Sequence, residues 1–304
     1  MKYLKLKVLE LFGGIGACSK ALSILNVDFE IVDYVEIDKY AVRSFNAIHN
    51  TNFTPQDICL WDKDIEVDLI MHGSPCQDFS LAGKNLGGDK DSGTRSSLMY
   101  ETIRIVKKLK PKYVVWENVK NILSKTHIHN FENYLHTLKE LGYSNHYKIL
   151  NAKDFGIPQN RERVFVVSIL GDETFEFPDK QELSTKLIDL LEKDVPESYF
   201  LSPERTEKLI LGCNKDVFYV KNATKIGFLE GRNGDGVYIS NIKGKRGMVQ
   251  KEMISTLKGH PDIGVIVDVG DSIDLTYPST IRKRITKEGL STLTTNGLIG
   301  VFVD

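Results

Sequence analysis

Short apolar runs alternate with amphipathic segments through the first 170 residues of the chain. Apolar runs bounded by turn-forming residues predict buried strands, and apolar residues at spacings of three and four predict helices that pack on them. The predicted strands cover residues 6–12, 29–35, 53–58, 68–72, 113–116, 143–150 and 164–169, and the predicted helices cover 17–25, 39–50, 97–109 and 129–141. This alternation predicts an α/β domain with a largely parallel sheet.

The pattern changes after Gly171, where prolines interrupt a polar stretch and Gly-rich strands follow. We therefore predict a boundary near residue 175, with a catalytic domain over 1–175 and a smaller β-rich domain over 176–304. Within the second domain, residues 251–268 match residues 287–304 at 10 of 18 positions. A repeat of this length predicts two similar hairpin units.

Composition places few limits on function. The net charge of −1 argues neither for nor against nucleic acid, and no apolar run is long enough to span a membrane. The N-terminus interleaves lysines with apolar residues, unlike a signal peptide. Four scattered cysteines show neither metal-ligand spacing nor a disulfide framework. We expect a cytoplasmic protein without a metal site.

The most informative stretch, Gly73-Ser74-Pro75-Cys76-Gln77, directly follows the predicted strand 68–72. Open α/β sheets place their chemistry at the carboxyl ends of strands, and a thiolate there is a candidate nucleophile. A lone cysteine near a strand more often simply packs. The surrounding motifs have to decide between these two interpretations.

A glycine turn, Gly13-Gly14-Ile15-Gly16, joins the first predicted strand to the first helix, and Glu36 ends the second strand. Such a turn brings backbone amides to a ligand, and a carboxylate at this distance can accept hydrogen bonds from ribose hydroxyls. Ser19 stands where a dinucleotide motif would have its third glycine, which favours a nucleoside ligand. A structural turn with a surface acid is the alternative.

Four further charged residues lie at the ends of predicted strands. Asp57 could meet an adenine amino group or be an ordinary loop acid, and Glu117 ends the strand over 113–116. Arg161 and Arg163 lie two residues apart at the entry to a strand and so share one face. Exposed salt bridges are the alternative explanation for these arginines.

Together these residues resemble the C5-cytosine DNA methyltransferases of bacteria and phages. The motifs that carry the resemblance are Phe12-Gly13-Gly14-Ile15-Gly16, Glu36-Ile37-Asp38, Gly73-Ser74-Pro75-Cys76-Gln77-Asp78-Phe79-Ser80, Gly93-Thr94-Arg95-Ser96-Ser97-Leu98, Glu117-Asn118-Val119 and Gln159-Asn160-Arg161-Glu162-Arg163. They occur in the family's order and cover residues 1 to about 170.

The resemblance implies a Rossmann-like, seven-stranded sheet that binds S-adenosylmethionine, and a β-rich target-recognition domain that faces double-stranded DNA. The residues it places around S-adenosylmethionine are Phe12, Gly14, Ile15, Gly16, Glu36, Ile37, Asp57, Ile58, Pro75 and Leu98. The residues it places around the cytosine are Pro75, Cys76, Glu117, Arg161 and Arg163. It also implies that the target base is flipped out of the duplex.

The implied chemistry explains these residue types. Cytosine C5 becomes nucleophilic only after the Cys76 thiolate adds to C6, with N3 protonated or hydrogen-bonded by Glu117. Arg163 would hold the O2 side and balance charge. The expected role is restriction–modification or phage self-protection. Two basic clusters, Lys243, Lys245, Arg246 and Lys251, and Arg282, Lys283, Arg284 and Lys287, could contact phosphates or form a solvated face.

Other functions stay open at this stage. An RNA C5-cytosine methyltransferase would use the same residues, and a catalytically silent DNA-binding relative would keep the fold. A nicotinamide-dependent oxidoreductase would leave the Pro-Cys-Gln and Glu-Asn-Val motifs unexplained. The family's closing Gly-Asn segment and final helix have no counterpart before Asp304. We therefore expect an apolar groove near the cofactor turn, and a missing or separate C-terminal polypeptide that fills it.

Overall fold

The computed structural model describes residues 5–75, 98–192, 210–214, 217–222, 224–238, 248–256, 263–266 and 290–292. The chain divides into two compact units. The first comprises Met1–Leu150 and Glu162–Pro178, and the second comprises Asn151–Arg161 and Asp179–Asp304.

With one exception, the helices and strands of the first unit follow one another as the apolar pattern predicts. The strands are β1 (Leu6–Leu11), β2 (Phe29–Val35), β3 (Leu69–His72), β4 (Tyr113–Val119), β5 (Tyr143–Asn151), β6 (Gln159–Asn160), β7 (Glu162–Leu170), β8 (Ile210–Asn214), β9 (Val217–Lys221), β10 (Phe228–Gly231), β11 (Gly236–Tyr238), β12 (Val249–Gln250), β13 (Ile254–Ser255), β14 (Ile263–Ile266) and β15 (Leu290–Thr292). The α-helices are α1 (Ala17–Ile24), α2 (Lys39–His49), α3 (Met99–Leu109) and α4 (Ile128–Glu140), and short 3-10 helices cover Lys120–Leu123, Ala152–Phe155 and Leu187–Leu190.

The first unit is built on a six-stranded sheet in the order β2-β1-β3-β4-β7-β5. β2, β1, β3 and β4 pair in parallel, and β7 pairs antiparallel with β4. Leu9, Ile70 and Trp116 on the central strands are buried in one core with residues of α3 and α4. The predicted α/β sheet is confirmed. Its described part has six strands where the resemblance implies seven.

The strand predicted over residues 53–58 is wrong. The Asn46 side chain of α2 satisfies the backbone hydrogen-bonding groups of Phe53 in this segment. It accepts from the Phe53 N–H and donates to the Phe53 carbonyl, both at 2.8 Å. Further along, the Gln56 N–H donates to the Glu36 carbonyl at 2.8 Å. Backbone groups satisfied by a neighbouring helix and loop have no need of a strand partner.

The second unit is rich in β-structure. It contains a three-stranded sheet in the order β10-β9-β8, a four-stranded sheet in the order β12-β11-β14-β15, and the pair β6-β13. Leu187, Ile254 and Val265 form a small core. β14 and β15 come from the two sequence repeats, but most of the second repeat lies outside the described residues. Among the residues that the structure describes, no helix is long and apolar enough to cross a membrane.

Candidate active site

The turn after β1 has an unusual backbone that only certain residues tolerate. Phe12, Gly14 and Gly16 all have positive φ angles, of 52°, 55° and 87°. At Gly16, a Cβ would lie 2.2 Å from His49 Nε2, so this position needs glycine for space as well as for conformation. At Gly14, an added Cβ would meet no described atom within 4 Å, so open space borders the Cα of this residue. The left-handed backbone conformation of Phe12 costs about 1–2 kcal/mol of free energy, and strain of this size is typical of functional sites.

Two side chains that the sequence pattern did not mark as functional fix the backbone of this turn. The Tyr34 hydroxyl donates to the Gly14 carbonyl at 2.6 Å, and the His49 Nε2–H donates to the Gly16 carbonyl at 3.1 Å. Tyr34 also stacks on Phe45, with ring centroids 3.8 Å apart. The only sequence signal was aromatic residues on the inner faces of β2 and α2. The turn is therefore a preorganised surface rather than a loose loop.

Glu36 lies at the end of β2, beside the turn. Its Oε2 accepts from the Gly14 N–H at 3.2 Å and its Oε1 accepts from the Asp38 N–H at 2.9 Å. Ile37 follows Glu36 in the chain and Ile15 follows Gly14, and these two residues are 67% and 50% exposed. An anchored carboxylate in a segment with exposed apolar side chains suits a ligand that has both hydroxyl groups and a flat apolar ring.

The other predicted cofactor residues differ in how much surface they offer. Asp57 is exposed and accepts from the Cys59 N–H at 2.9 Å, so it also closes a turn. Ile58 is 5% exposed and belongs to the core, while Leu98 is half-buried against that core just before α3. Pro75 is half-buried. Ile58 can therefore meet a ligand mainly through its backbone.

A buried acid lies behind the turn. Glu10 of β1 is 1% exposed and accepts a hydrogen bond from the Ser19 hydroxyl. Burial raises the pKa of Glu10 to about 7. Burial, together with the Glu10 and Glu117 carboxylates, raises the pKa of the nearby Cys18 thiol to about 12. Cys18 is therefore protonated at neutral pH and is a poor nucleophile.

The carboxyl end of β4 lies beside the beginning of β7. Glu117 Oε1 and Arg163 Nε form an ion pair at 3.0 Å, with the two side chains 29% and 16% exposed. The antiparallel register sets Arg163 opposite Val119, which lets its side chain reach back to Glu117. A Cβ placed on Gly73 would lie 3.9 Å from Glu117 Oε2. The segment that leads to Pro75 therefore passes directly beside the acid.

The structure describes only some of the other predicted site residues. Cys76, the basic residues from Lys243 to Arg246, and the cluster at Arg282–Arg284 lie outside the described residues. Arg161 belongs to the second unit, where its N–H donates to Asn151 Oδ1 at 3.0 Å. Within the described residues, no group of three His, Cys, Asp or Glu could hold a metal ion.

The sequence model of the family described as C-5 cytosine-specific DNA methylase matches residues 6–268. The type II methyltransferase M2.ScrFI of Lactococcus lactis subsp. cremoris is 37% identical over 64% of this chain and 70% of its own length. The orphan methyltransferase M.Rho11sI of Bacillus phage rho11s is 32% identical over 96% of this chain and 67% of its own. Both relatives therefore extend beyond what this chain matches.

Among solved structures, a DNMT2 mutant from Spodoptera frugiperda superposes with a TM-score of 0.54 at 26% identity. The likeness covers 68% of this chain and 66% of that one.

Proposed function

The chain belongs to the C-5 cytosine-specific DNA methylase family, and from that premise we propose that it methylates C5 of a flipped cytosine within a specific sequence of duplex DNA. The observation that carries this proposal is the Glu117–Arg163 pair beside the Gly73 backbone. Nucleophilic addition to cytosine requires an acid and a cation near the nucleophile. Glu117 and Arg163 provide these two groups beside the segment that leads to Pro75 and Cys76.

The residues divide the reaction between them. The Cys76 sulfur forms a bond to C6 while Glu117 donates a proton or a hydrogen bond to N3, so that electron density moves to C5. Arg163 contacts Oε1 of Glu117, and Oε2 lies on the Gly73 side, where a base would arrive. After C5 gains the methyl group, a base removes the C5 proton and the C6–S bond breaks, which restores the thiolate. The guanidinium balances the negative charge that develops on the ring.

The family is one of S-adenosylmethionine-dependent methyltransferases. The residues of the turn fit this group: Gly14 borders open space, Glu36 presents a carboxylate for ribose hydroxyls, and Ile15 and Ile37 expose apolar surface for an adenine. When bound, the group supplies an electrophilic methyl on a sulfonium. The chain's own part is to orient it, and Tyr34 and His49 fix the turn for that purpose.

We further propose that the β-rich second unit selects the DNA sequence, and that the biological role is restriction–modification or phage self-protection. The relatives include a type II and a phage orphan methyltransferase, which supports that range of roles. Phosphate contact by the basic residues from Lys243 to Arg246 and Arg282 to Arg284 is part of this proposal.

Bisulfite sequencing tests the proposed function directly. DNA from cells that express the chain should show protected cytosines in one sequence context, because C5-methylated cytosine resists deamination. Cells that express the Glu117→Gln variant at the same level provide the control and should show conversion at those sites. Conversion at every cytosine with the unaltered chain, alongside a folded and soluble protein, would contradict the proposal.

Replacing Glu36 with alanine should weaken S-adenosylmethionine binding by about 1.5–3 kcal/mol, since hydrogen bonds to a charged group are lost. Calorimetry measures this, with Glu30→Ala as the matched control, because Glu30 is an exposed acid on β2, the strand that leads to Glu36. The control should bind with unchanged affinity. Because Glu36 also anchors the Gly14 N–H, the melting temperature of each variant should be recorded. Unaltered affinity in Glu36→Ala would remove this residue from the cofactor site.

A further inference from the structure

The backbone between β3 and Cys76 is anchored from its buried side. Ser74 is 3% exposed, and the Trp116 Nε1–H donates to its hydroxyl oxygen at 3.0 Å. Asn118 Nδ2 lies 3.5 Å from both the carbonyl and the hydroxyl oxygen of Ser74. Two side chains of β4 therefore converge on the residue that precedes Pro75.

Trp116 cannot easily turn its N–H elsewhere. It is 1% exposed, stacks on His72 at 5.7 Å with an interplanar angle of 6°, and packs on Tyr134 at 4.3 Å. His72 Nε2 and the Tyr134 hydroxyl share a hydrogen bond of 2.8 Å, which fixes both neighbours. An indole held by buried rings keeps its donor aimed at Ser74 at little further entropic cost.

Strand geometry links this anchor to the catalytic acid. Alternate residues of a strand point to opposite faces, so Trp116 and Asn118 lie on one face of β4 and Glu117 on the other. One strand thus carries the acid and also holds the segment that enters Pro75. The acid and the last described residues before Cys76 are therefore held by the same strand.

We propose that Ser74 and Trp116 are positioning residues for the nucleophile: their hydrogen bond fixes the backbone at Pro75, and the covalent chain passes this constraint to Cys76. The inference rests on the proposed function. Addition of sulfur to C6 depends steeply on approach distance, since a displacement of about 1 Å can cost about 10²-fold in rate. The bond should therefore affect the addition step and leave ligand affinity largely unchanged.

The test compares Ser74→Ala, Trp116→Phe and the double variant with the unaltered chain. The probe is a plasmid-length duplex synthesised with 5-fluorodeoxycytidine triphosphate, which presents every sequence context and retains the covalent adduct because fluorine at C5 blocks elimination. Adduct formation is timed at saturating DNA and S-adenosylmethionine. Dissociation constants for both and the melting temperature are measured on the same preparations.

We expect each single variant to form adduct about tenfold more slowly, with both dissociation constants within about twofold. The double variant should be no slower than the slower single variant, because all three lack the same hydrogen bond. Single variants with rates within twofold of the unaltered chain would overturn the inference. A double variant whose rate of adduct formation falls by the product of the two single-variant factors would also overturn it. So would a double variant that recovers the full rate. In either case the Ser74–Trp116 hydrogen bond would not explain the effect of the single variants.

Tyr143→Phe is the matched control. It removes a buried hydrogen bond of 2.7 Å, from the Tyr143 hydroxyl to the Pro111 carbonyl, elsewhere in the same unit. It should lower the melting temperature without slowing adduct formation, which separates positioning from general stability. If Trp116→Phe fails to fold, Ser74→Ala alone decides. Absence of any adduct with the unaltered chain would count against the proposed function rather than against this inference.

Discussion

Alanine in place of Cys76 is expected to abolish covalent capture of DNA that carries 5-fluorocytosine. The adduct forms through sulfur addition at C6, and alanine offers no nucleophile. Denaturing electrophoresis should show a shifted protein–DNA band with the unaltered chain only when S-adenosylmethionine is present, because the trapped species has already received the methyl group. The variant should give no band at any time point, while its cofactor affinity stays unchanged.

Two cysteines that the structure describes, Cys18 and Cys59, allow a comparison with Cys76. Cys59 is an exposed residue, but partial desolvation of its thiol and the Asp57 carboxylate raise the pKa of that thiol. Burial raises the pKa of the Cys18 thiol to about 12. Both thiols are therefore protonated at neutral pH, and the thiolate is the reactive form. Cys59→Ala should form adduct at the normal rate. A normal yield of adduct in Cys76→Ala would contradict the assignment of the nucleophile.

The sequence predicts well those elements whose own residues determine them. β2 spans residues 29–35 as predicted, because this short segment is rich in the aromatic and β-branched residues that favour a strand. The segment 53–58 looked similar but forms no strand, since Asn46 of α2 takes up the Phe53 backbone groups. The pattern of apolar and polar residues within 53–58 does not show that a side chain seven residues away satisfies these backbone groups.

The candidate site shows the same limit. Glu36 and the glycine turn could be found from spacing, but their support by Tyr34 and His49 could not, because both act on carbonyl groups of a distant segment. Arg161 and Arg163 were predicted to share a face at one site. The structure assigns them to different units, and Arg163 reaches Glu117 only because β7 runs antiparallel to β4. Strand order and direction depend on tertiary packing and cannot be deduced from two arginines.

Glutamine in place of Glu117 should reduce methyl transfer by about 10²–10⁴-fold, the range for loss of a general acid. Glutamine keeps the size of the side chain and can still donate a hydrogen bond, but it cannot deliver a proton to N3. It also leaves the Arg163 guanidinium, 16% exposed, without its carboxylate at 3.0 Å. Affinity for S-adenosylmethionine should stay within about twofold, because the turn after β1 is untouched.

The measurement should isolate the addition step from methyl transfer. Reversible addition of Cys76 to C6 lets the C5 hydrogen exchange with water, so release of tritium from C5-labelled DNA in the absence of S-adenosylmethionine reports addition alone. Glu117→Gln should suppress both tritium release and methylation, since N3 protonation precedes both. Glu162→Gln is the matched control: Glu162 is exposed on β7 and pairs with Lys120 at 3.0 Å, so its loss should leave both rates unchanged. Tritium release at the normal rate in Glu117→Gln would show that the proton reaches N3 from another group.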